Sequence, residues 1–376
     1  MQETLRLAVK GAGLAAPNPM VGAVIVKDGR VIGRGYHHRF GGAHAEIEAL
    51  EDCVRQGNDP TGAIMFVNLE PCCHQGKTGP CTEALIRAGI GEVDIATLDE
   101  FESVRGRGVG QLREKGIRVR VGCCETEARR FNSGYFKYLR TGRPLVILKW
   151  AQSLDGKLAW PSEPGSAENP HRWISNEKSR RHVHQIRRQV GAILVGIGTV
   201  LADDPLLTVR LGGKRHPPRR VVLDSQLRIP EDRQLVKTAP EASVLIYSLS
   251  QSIQDKGKVA SRLQEGGCEV VAVTGKEERL DLEAVLADLG KRGVTELLVE
   301  GGATILKAFV EQRLVDKYMI YIAPILIGSQ SEAPKIDFGI SYDPLHDIKI
   351  TKFDTDILIE GFTEKLIKSS FEREAL

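Results

Sequence analysis

Leu69-Glu70-Pro71-Cys72-Cys73-His74-Gln75-Gly76-Lys77-Thr78-Gly79-Pro80-Cys81, read together with His44-Ala45-Glu46 upstream, is a split set of zinc-ligand residues. One imidazole and two thiolates hold Zn²⁺ with a fourth position left to water, and a carboxylate two residues after the histidine can move that water's protons. This is the chemistry of a hydrolytic deaminase. Zinc deaminases commonly carry His-x-Glu followed by Pro-Cys-x-x-Cys, whereas here eight residues separate Cys72 from the next well-placed thiol, Cys81. Any one of these residues alone reads as a surface histidine or a buried cysteine; the set in this order specifies the metal. Cys73 and His74 stand as alternative ligands or as packing and loop residues.

Working outward, His44 precedes an apolar-periodic stretch (Ile47, Leu50, Val54), which places His44 and Glu46 in the first turn of a helix. Cys72 follows a strand at Ala63 to Val67 and a proline, and Cys81 follows Pro80 ahead of a helix at Thr82 to Ala88. All three ligands are therefore expected at helix N-termini, where the positive end of the dipole favours thiolate over thiol. Glu46 is then free for general acid/base work on an amidine-like carbon. Upstream, Leu5, Ala8, Val9 and Ala12 recur at helical spacing, and Asp28-Gly29 turns Val21 to Val26 into Val31-Ile32. With strands at Val93 to Thr97 and Ile117 to Val121, the first half is an α/β domain with a mixed sheet and helical cover. Asn18, between Pro17 and Pro19, is a turn former or a polar contact to a substrate base; Lys77 is a solvated charge or an anion contact.

A basic, aromatic helix from Phe131 to Leu139 ends at Thr141-Gly142-Arg143-Pro144, where the pattern restarts. The boundary placed there divides the chain into residues 1–143 and 144–376. The second half offers strands at Leu145 to Trp150, Ala192 to Val195, Arg220 to Leu223, Ser243 to Tyr247, Glu269 to Val273, Glu296 to Val299 and Lys317 to Ala323. Helices start from Asn176, Asp281 and Thr304, and Trp160 to Asn169 is expected to be a mobile loop. Glu300-Gly301-Gly302 before a helix is a phosphate cradle or a plain turn. Gly196-Ile197-Gly198-Thr199 is equally open, as are Asp203-Asp204-Pro205 and Arg210. Lys149 sits in an otherwise apolar strand, where an ammonium is costly unless paired or facing a cleft.

At 376 residues the chain is long enough for two cores. Its 52 basic and 49 acidic residues leave a formal +3, too small and too evenly spread for a nucleic-acid or membrane surface. Seven cysteines, two pairs of them adjacent (Cys72-Cys73 and Cys123-Cys124) and none preceded by a secretory signal, argue against a disulfide framework and for a reducing cytoplasm. No apolar run approaches the roughly 20 residues that span a bilayer.

Three segments carry a resemblance: Pro17-Asn18-Pro19-Met20-Val21-Gly22-Ala23-Val24-Ile25-Val26, His44-Ala45-Glu46, and Leu69 through Cys81. They resemble the deaminase half of the bifunctional riboflavin-biosynthesis deaminase/reductase family. The resemblance implies zinc on His44, Cys72 and Cys81, Glu46 as proton shuttle, and a contact from the Lys77 loop to the ribose phosphate. Where that family usually has Asp-Pro-Asn-Pro, this chain reads Asp99-Glu100-Phe101-Glu102, followed by a fitting Val104-Arg105-Gly106-Arg107-Gly108. Lys149 to Lys157, Trp173-Ile174-Ser175, Gly196 to Arg210 and Val299-Glu300-Gly301-Gly302 resemble the reductase half in order. This implies a dihydrofolate-reductase-like α/β domain using NADPH, with Ala151, Trp173, Thr199, Asp203, Ser225, Gly302, Ala303 and Thr304 on the cofactor. His171, Arg187, Leu207, Arg210 and Glu300 would line the substrate side, the arginines being suited to a ribose phosphate. Lys149 and Asp203 are the candidate proton donors.

The expectation is thus a cytoplasmic, homo-oligomeric enzyme that deaminates a diaminopyrimidine ribosylamine phosphate and then reduces its ribose with NADPH, without nucleic-acid or membrane partners. Competing readings are a nucleic-acid-editing deaminase, which needs a concentrated basic face with interleaved aromatics, and a structural-zinc module, which needs a fourth protein ligand. A chain with a weakened deaminase half and a working reductase is the third.

Overall fold

Asp28 and Gly29 adopt φ of 50° and 73°, the left-handed pair that a tight hairpin turn requires. They join β1 (Gly22–Lys27) to β2 (Arg30–Tyr36) in antiparallel register. The computed structural model describes residues 1–75, 79–160, 173–212, 217–328, 334–339 and 344–370, with side chains to residue 367. Lys77, His171 and most of the expected mobile loop lie outside the described residues. The chain divides into two units, Met1–Gly142 and Arg143–Leu376.

In the first unit, α1 (Gln2–Ala8) precedes the hairpin and α2 (Ala45–Arg55) follows it. The rest is β3 (Ile64–Val67), α3 (Cys81–Arg87), β4 (Glu92–Ile95), α4 (Arg107–Glu114), β5 (Arg118–Val121), α5 (Glu125–Phe131) and α6 (Ser133–Thr141). The sheet order is β2-β1-β3-β4-β5, antiparallel across β2, β1 and β3 and parallel from β3 to β5. Ala23, Ile25, Met65, Val67, Val93 and Ile95 pack against Ala45, Ala49, Leu85 and Leu112 from the helices. The expected helix across Phe131 to Leu139 is two helices broken at Asn132. The Asn132 amide is spent on the backbone of Met20, with Oδ1 accepting its N–H at 2.9 Å and Nδ2 donating to its carbonyl at 3.0 Å.

The second unit runs β6 (Leu145–Ser153), α7 (Glu177–Arg187), β7 (Ala192–Gly196), α8 (Ile197–Asp203), β8 (Arg219–Leu223), α9 (Gln234–Lys237), β9 (Val244–Leu249), α10 (Ser250–Asp255) and α11 (Gly257–Glu265). It continues with β10 (Cys268–Val273), the small pair β11 (Gly275–Lys276) and β12 (Arg279–Leu280), α12 (Leu282–Lys291), β13 (Glu296–Glu300) and α13 (Ala303–Glu311). It ends with β14 (Lys317–Ala323), β15 (Leu345–Phe353), β16 (Asp356–Thr363) and α14 (Glu364–Ser370). A nine-stranded sheet has the order β10-β9-β8-β7-β13-β6-β14-β16-β15. It is parallel from β10 to β14 and antiparallel at the β14–β16 and β16–β15 pairs. Its central strands read as continuous apolar runs because both faces are covered, by one cluster including Ile193, Val195, Val222 and Ile246 and another including Leu194, Val221, Leu245 and Val299.

Candidate active sites

In the first unit α2 lies directly on β2, at the two glycines that permit it. A Cβ on Gly35 would stand 2.2 Å from the Ala45 carbonyl oxygen, and one on Gly33 2.4 Å from that of Ala49. This contact brings the α2 N-terminus to the sheet. His44 is its N-cap residue and not part of the first turn as expected, while Glu46 is in that turn. Cys81 opens α3 after Pro80. Cys72, contrary to expectation, belongs to no helix; it sits in the extended segment after β3 and accepts the Cys81 N–H at 3.4 Å. Its sulfur thereby still meets the α3 N-terminus.

His44 Nδ1 lies 3.2 Å from Cys81 Sγ and 3.4 Å from Cys72 Sγ, and the three donor atoms fall within 4.8 Å of one another. Metal–ligand bonds of about 2.0–2.3 Å at tetrahedral angles give edges of roughly 3.5 Å, so one imidazole and two sulfurs at these separations fit zinc. Cys73 turns its Sγ to the Ser103 carbonyl and His74 packs on Phe101. Neither joins the cluster, so among the described residues no fourth protein ligand closes it. The hydrogen bond between the two thiols pushes Cys72 down and Cys81 up, with His44 also favouring the Cys72 thiolate. Glu46 is 3% exposed, and burial raises its carboxyl above the ordinary range despite the His44 charge.

Two residues here escaped sequence reasoning. His37, 2% exposed, sets Nδ1 at 2.9 Å from the Ala43 carbonyl, so that nitrogen carries the proton and Nε2 accepts from Asn18 Nδ2 at 3.1 Å. Burial lowers its pKa, and its ring meets that of His44 edge-on at 5.4 Å. Glu70 accepts the backbone N–H groups of Asp99, Gly106 and Val109 at 3.2, 2.9 and 3.1 Å. It thereby ties the segment before Cys72 to the 99–109 loop. No spacing signal betrays either residue, since each acts on groups remote in sequence. Cys123 and Cys124 lie at the start of α5, with Cys124 as its N-cap residue.

In the second unit the strand order gathers residues far apart in sequence. β8, β7, β13 and β6 are neighbours and parallel, so Ser225 after β8, Gly196 at the end of β7, Gly301-Gly302 after β13 and Ala151 within β6 lie toward the carboxyl ends of these strands. In open α/β sheets ligands bind beyond the carboxyl ends of the strands. Gly302, the N-cap residue of α13, donates its N–H to Thr199 Oγ1 at 3.0 Å, linking the two glycine turns. A Cβ on Gly302 would meet only Thr199 Oγ1, at 3.6 Å, so its peptide is open to an approaching group. Ala303 and Thr304 form the first turn of α13. This open turn at a helix N-terminus fits the pyrophosphate of a dinucleotide. Asp203 ends α8 exposed, and Trp173, 55% exposed, lies under the Arg180 guanidinium at 5.2 Å.

Lys149 is paired. Its Nζ is 4.0 Å from Glu300, whose carboxylate takes a two-pronged contact from Arg187 at 2.7 and 2.8 Å. Burial pushes Glu300 up, but the Arg187 and Lys149 charges prevail and hold it down to about 2. Burial lowers the Lys149 ammonium, which also stands 5.6 Å over the Tyr321 ring. Arg187 and Glu300, both expected on the substrate side, are paired with each other, since a buried guanidinium needs a carboxylate to offset desolvation. Leu207 is 3% exposed in the core with φ 51°, and Arg210 is exposed, donating its backbone N–H to His184 Nδ1 at 3.3 Å.

The cytidine and deoxycytidylate deaminase zinc-binding region matches residues 1–97, and the RibD C-terminal domain matches residues 144–359. Among curated proteins, the riboflavin biosynthesis protein RibD of Aquifex aeolicus is 40% identical over 87% of this chain and 87% of its own length. RibD of Escherichia coli is 37% identical over 88% of each. Among solved structures, the diaminohydroxyphosphoribosylaminopyrimidine deaminase/5-amino-6-(5-phosphoribosylamino)uracil reductase of Thermotoga maritima is 34% identical, covering 96% of this chain and 97% of its own with a TM-score of 0.81. RibD of Acinetobacter baumannii superposes with a TM-score of 0.80 at 33% identity, over 96% of this chain and 97% of its own. With both halves matched in order and the alignments running through nearly the whole length, this chain belongs to the RibD family of bifunctional riboflavin-biosynthesis enzymes, which join a zinc-binding deaminase domain to an NADPH-dependent reductase domain.

Proposed function

We propose that residues 1–143 deaminate 2,5-diamino-6-(5-phosphoribosylamino)pyrimidin-4-one and that residues 144–376 reduce the ribosyl group of the product to ribityl. The His44–Cys72–Cys81 cluster with buried Glu46 beside it is the observation that carries this reading. Zinc bound there supplies an activated water at neutral pH. Glu46, its carboxyl raised by burial, would take one proton from the attacking water and deliver it to the ring nitrogen, then carry a second, from the newly added hydroxyl, to the departing ammonia. Asn18, its amide nitrogen spent on His37, keeps its carbonyl oxygen to accept from a substrate amino group. Lys77 contacts the phosphate.

In the second unit NADPH supplies the hydride for the ribose C1 carbon. Thr199, Ser225, Gly302, Ala303 and Thr304 hold the dinucleotide, with Ala151, Trp173 and Asp203 completing its site. His171, Arg187, Leu207, Arg210 and Glu300 line the substrate side, the Arg187–Glu300 pair also holding Lys149 in place. Lys149 is the proton source: its burial beside Glu300 and lowered pKa favour proton release. The near-neutral charge supports a small-molecule substrate without nucleic acid, and no described helix is long and apolar enough to cross a membrane. Seven free cysteines, two pairs of them adjacent in sequence, support a cytoplasmic site of action, and assembly as a homo-oligomer completes the reading.

A coupled assay tests this, following ammonia and NADPH oxidation separately on zinc-loaded protein. Glu46→Gln should lower ammonia release about 10²–10⁴-fold while the deaminated intermediate still drives NADPH oxidation. Ammonia without NADPH consumption would sink the reductase assignment, and undiminished ammonia from the variant would sink the role of Glu46.

A further inference from the structure

Lys149 has one carboxylate to oppose its burial, and that carboxylate is largely committed elsewhere. Its Nζ lies 4.0 Å from Glu300, whose two oxygens are engaged by Arg187 at 2.7 and 2.8 Å, and among the described residues Nζ makes no hydrogen bond. Its other neighbour is aromatic. β14 pairs with β6 in parallel register, setting Tyr321 opposite Ala151 and so two residues beyond Lys149 on the same face of the sheet. Nζ stands over the Tyr321 ring, 5.6 Å from its centre, where the ring quadrupole attracts a cation. Tyr321 is fully buried, and its hydroxyl is hydrogen-bonded to His182 Nδ1 at 2.7 Å. The His182 ring is in turn stacked on Phe353, with centroids 4.5 Å apart and planes at 24°. The ring under the ammonium is thereby fixed from its own strand and from α7.

The charged and titratable groups around Lys149 and its carboxylate partner are Glu300 from β13, Arg187 and His184 from α7, and Tyr321 from β14. Glu300 attracts the ammonium and Arg187 repels it, while burial lowers the pKa of His182 and His184, so neither ring adds a cation at neutral pH. A π face offsets part of the desolvation cost without consuming an N–H. We propose that Tyr321 is a positioning residue for the reduction, its ring face seating the Lys149 ammonium and stabilising its charge while leaving the N–H groups available for proton donation. His182 fixes the ring, and the ring holds the cation. This inference rests on the reading of Lys149 as the proton source.

Two measurements on the full chain test it. One is the titration of Lys149 itself in NADPH-free protein, followed by carbon NMR with labelled lysine side chains and assigned with Lys149→Met. The other is the pH dependence of kcat/KM for NADPH oxidation on the deaminated intermediate. Tyr321→Phe keeps the ring face and should leave both midpoints within about 0.3 pH unit. Adding one, two and then three fluorines to that phenylalanine ring draws electron density from its face with little change of size. Each should lower the Lys149 midpoint, by about 0.5–1.5 pH units in all. The alkaline limb of kcat/KM, where the proton source is deprotonated, should move down by the same amount. A merely structural role would slow the reaction without moving the midpoint in step with the fluorine count. An unmoved Lys149 midpoint across the series overturns the inference. A Lys149 midpoint that moves while the alkaline limb stays, or a Lys149→Met variant that reduces at the wild-type rate, would instead remove the proton-source reading, and the role of Tyr321 in reduction with it.

Discussion

Asp99 shows how a residue outside the reacting group governs the pH behaviour of its unit. Burial pushes its carboxyl from 3.8 to about 6, against the hydrogen bonds from the Phe101 N–H and the Tyr135 hydroxyl. A raised folded-state value means the folded protein holds a proton that the unfolded chain gives up. The contribution to stability is complete below about pH 4 and is lost as pH rises through about 6, amounting to about 3 kcal/mol. Asp99→Asn keeps an acceptor for Tyr135 and removes the titration. The wild-type unfolding midpoint should therefore fall relative to the variant between about pH 4 and 6, with parallel curves above; curves parallel throughout would show that Asp99 ionises freely. At this scale the sequence was legible for His44, Cys72, Cys81 and Glu46, whose types and order announce their chemistry. It was silent on the roles of His37 and Glu70, because their partners, the Asn18 side chain and backbone groups of Ala43, Asp99, Gly106 and Val109, are brought near only by folding.

The elements that carry the site depend on close approach more than on propensity. β2 and α2 touch through Gly33 and Gly35, with no room for a side chain between backbones. Gly35→Ala sets a methyl 2.2 Å from the Ala45 carbonyl oxygen, against helix backbone that cannot rotate away. Overpacking of this kind costs about 1–3 kcal/mol, and the displaced α2 carries both His44 and Glu46. Zinc content and ammonia release should fall together while NADPH oxidation persists; full zinc retention would mean that α2 and β2 separate without disturbing the site. Periodicity located α2, α3, α7, α12, α13 and the parallel strands because each buries a regular face. It missed the β15–β16 hairpin, since β15 is an edge strand whose residues from Asp347 to Ile350 are exposed and show no inward-facing alternation.

For the whole molecule, each core draws its residues from one unit, Ala23 to Val119 in the first and Leu145 to Leu366 in the second. Heating should resolve two transitions. A chelator should lower only that of the unit holding His44, Cys72 and Cys81, and NADPH should raise only the other. Each ligand adds about 4 kcal/mol at a thousandfold excess over Kd. Calorimetry with each ligand checks this, and a single transition moved by both would mean that the units unfold as one.

The order of donor residues along the chain by itself determined the zinc chemistry and the presence of two α/β units, because ligand type and apolar period are properties of residue identity and spacing. Only the tertiary structure decided that Arg187 pairs with Glu300, that Cys73 and His74 stay off the metal cluster, and that Ser225, Thr199 and Gly302 follow the carboxyl ends of neighbouring strands. These depend on strand order and on the electrostatic cost of burying charge, both settled by contacts between segments that no local pattern records.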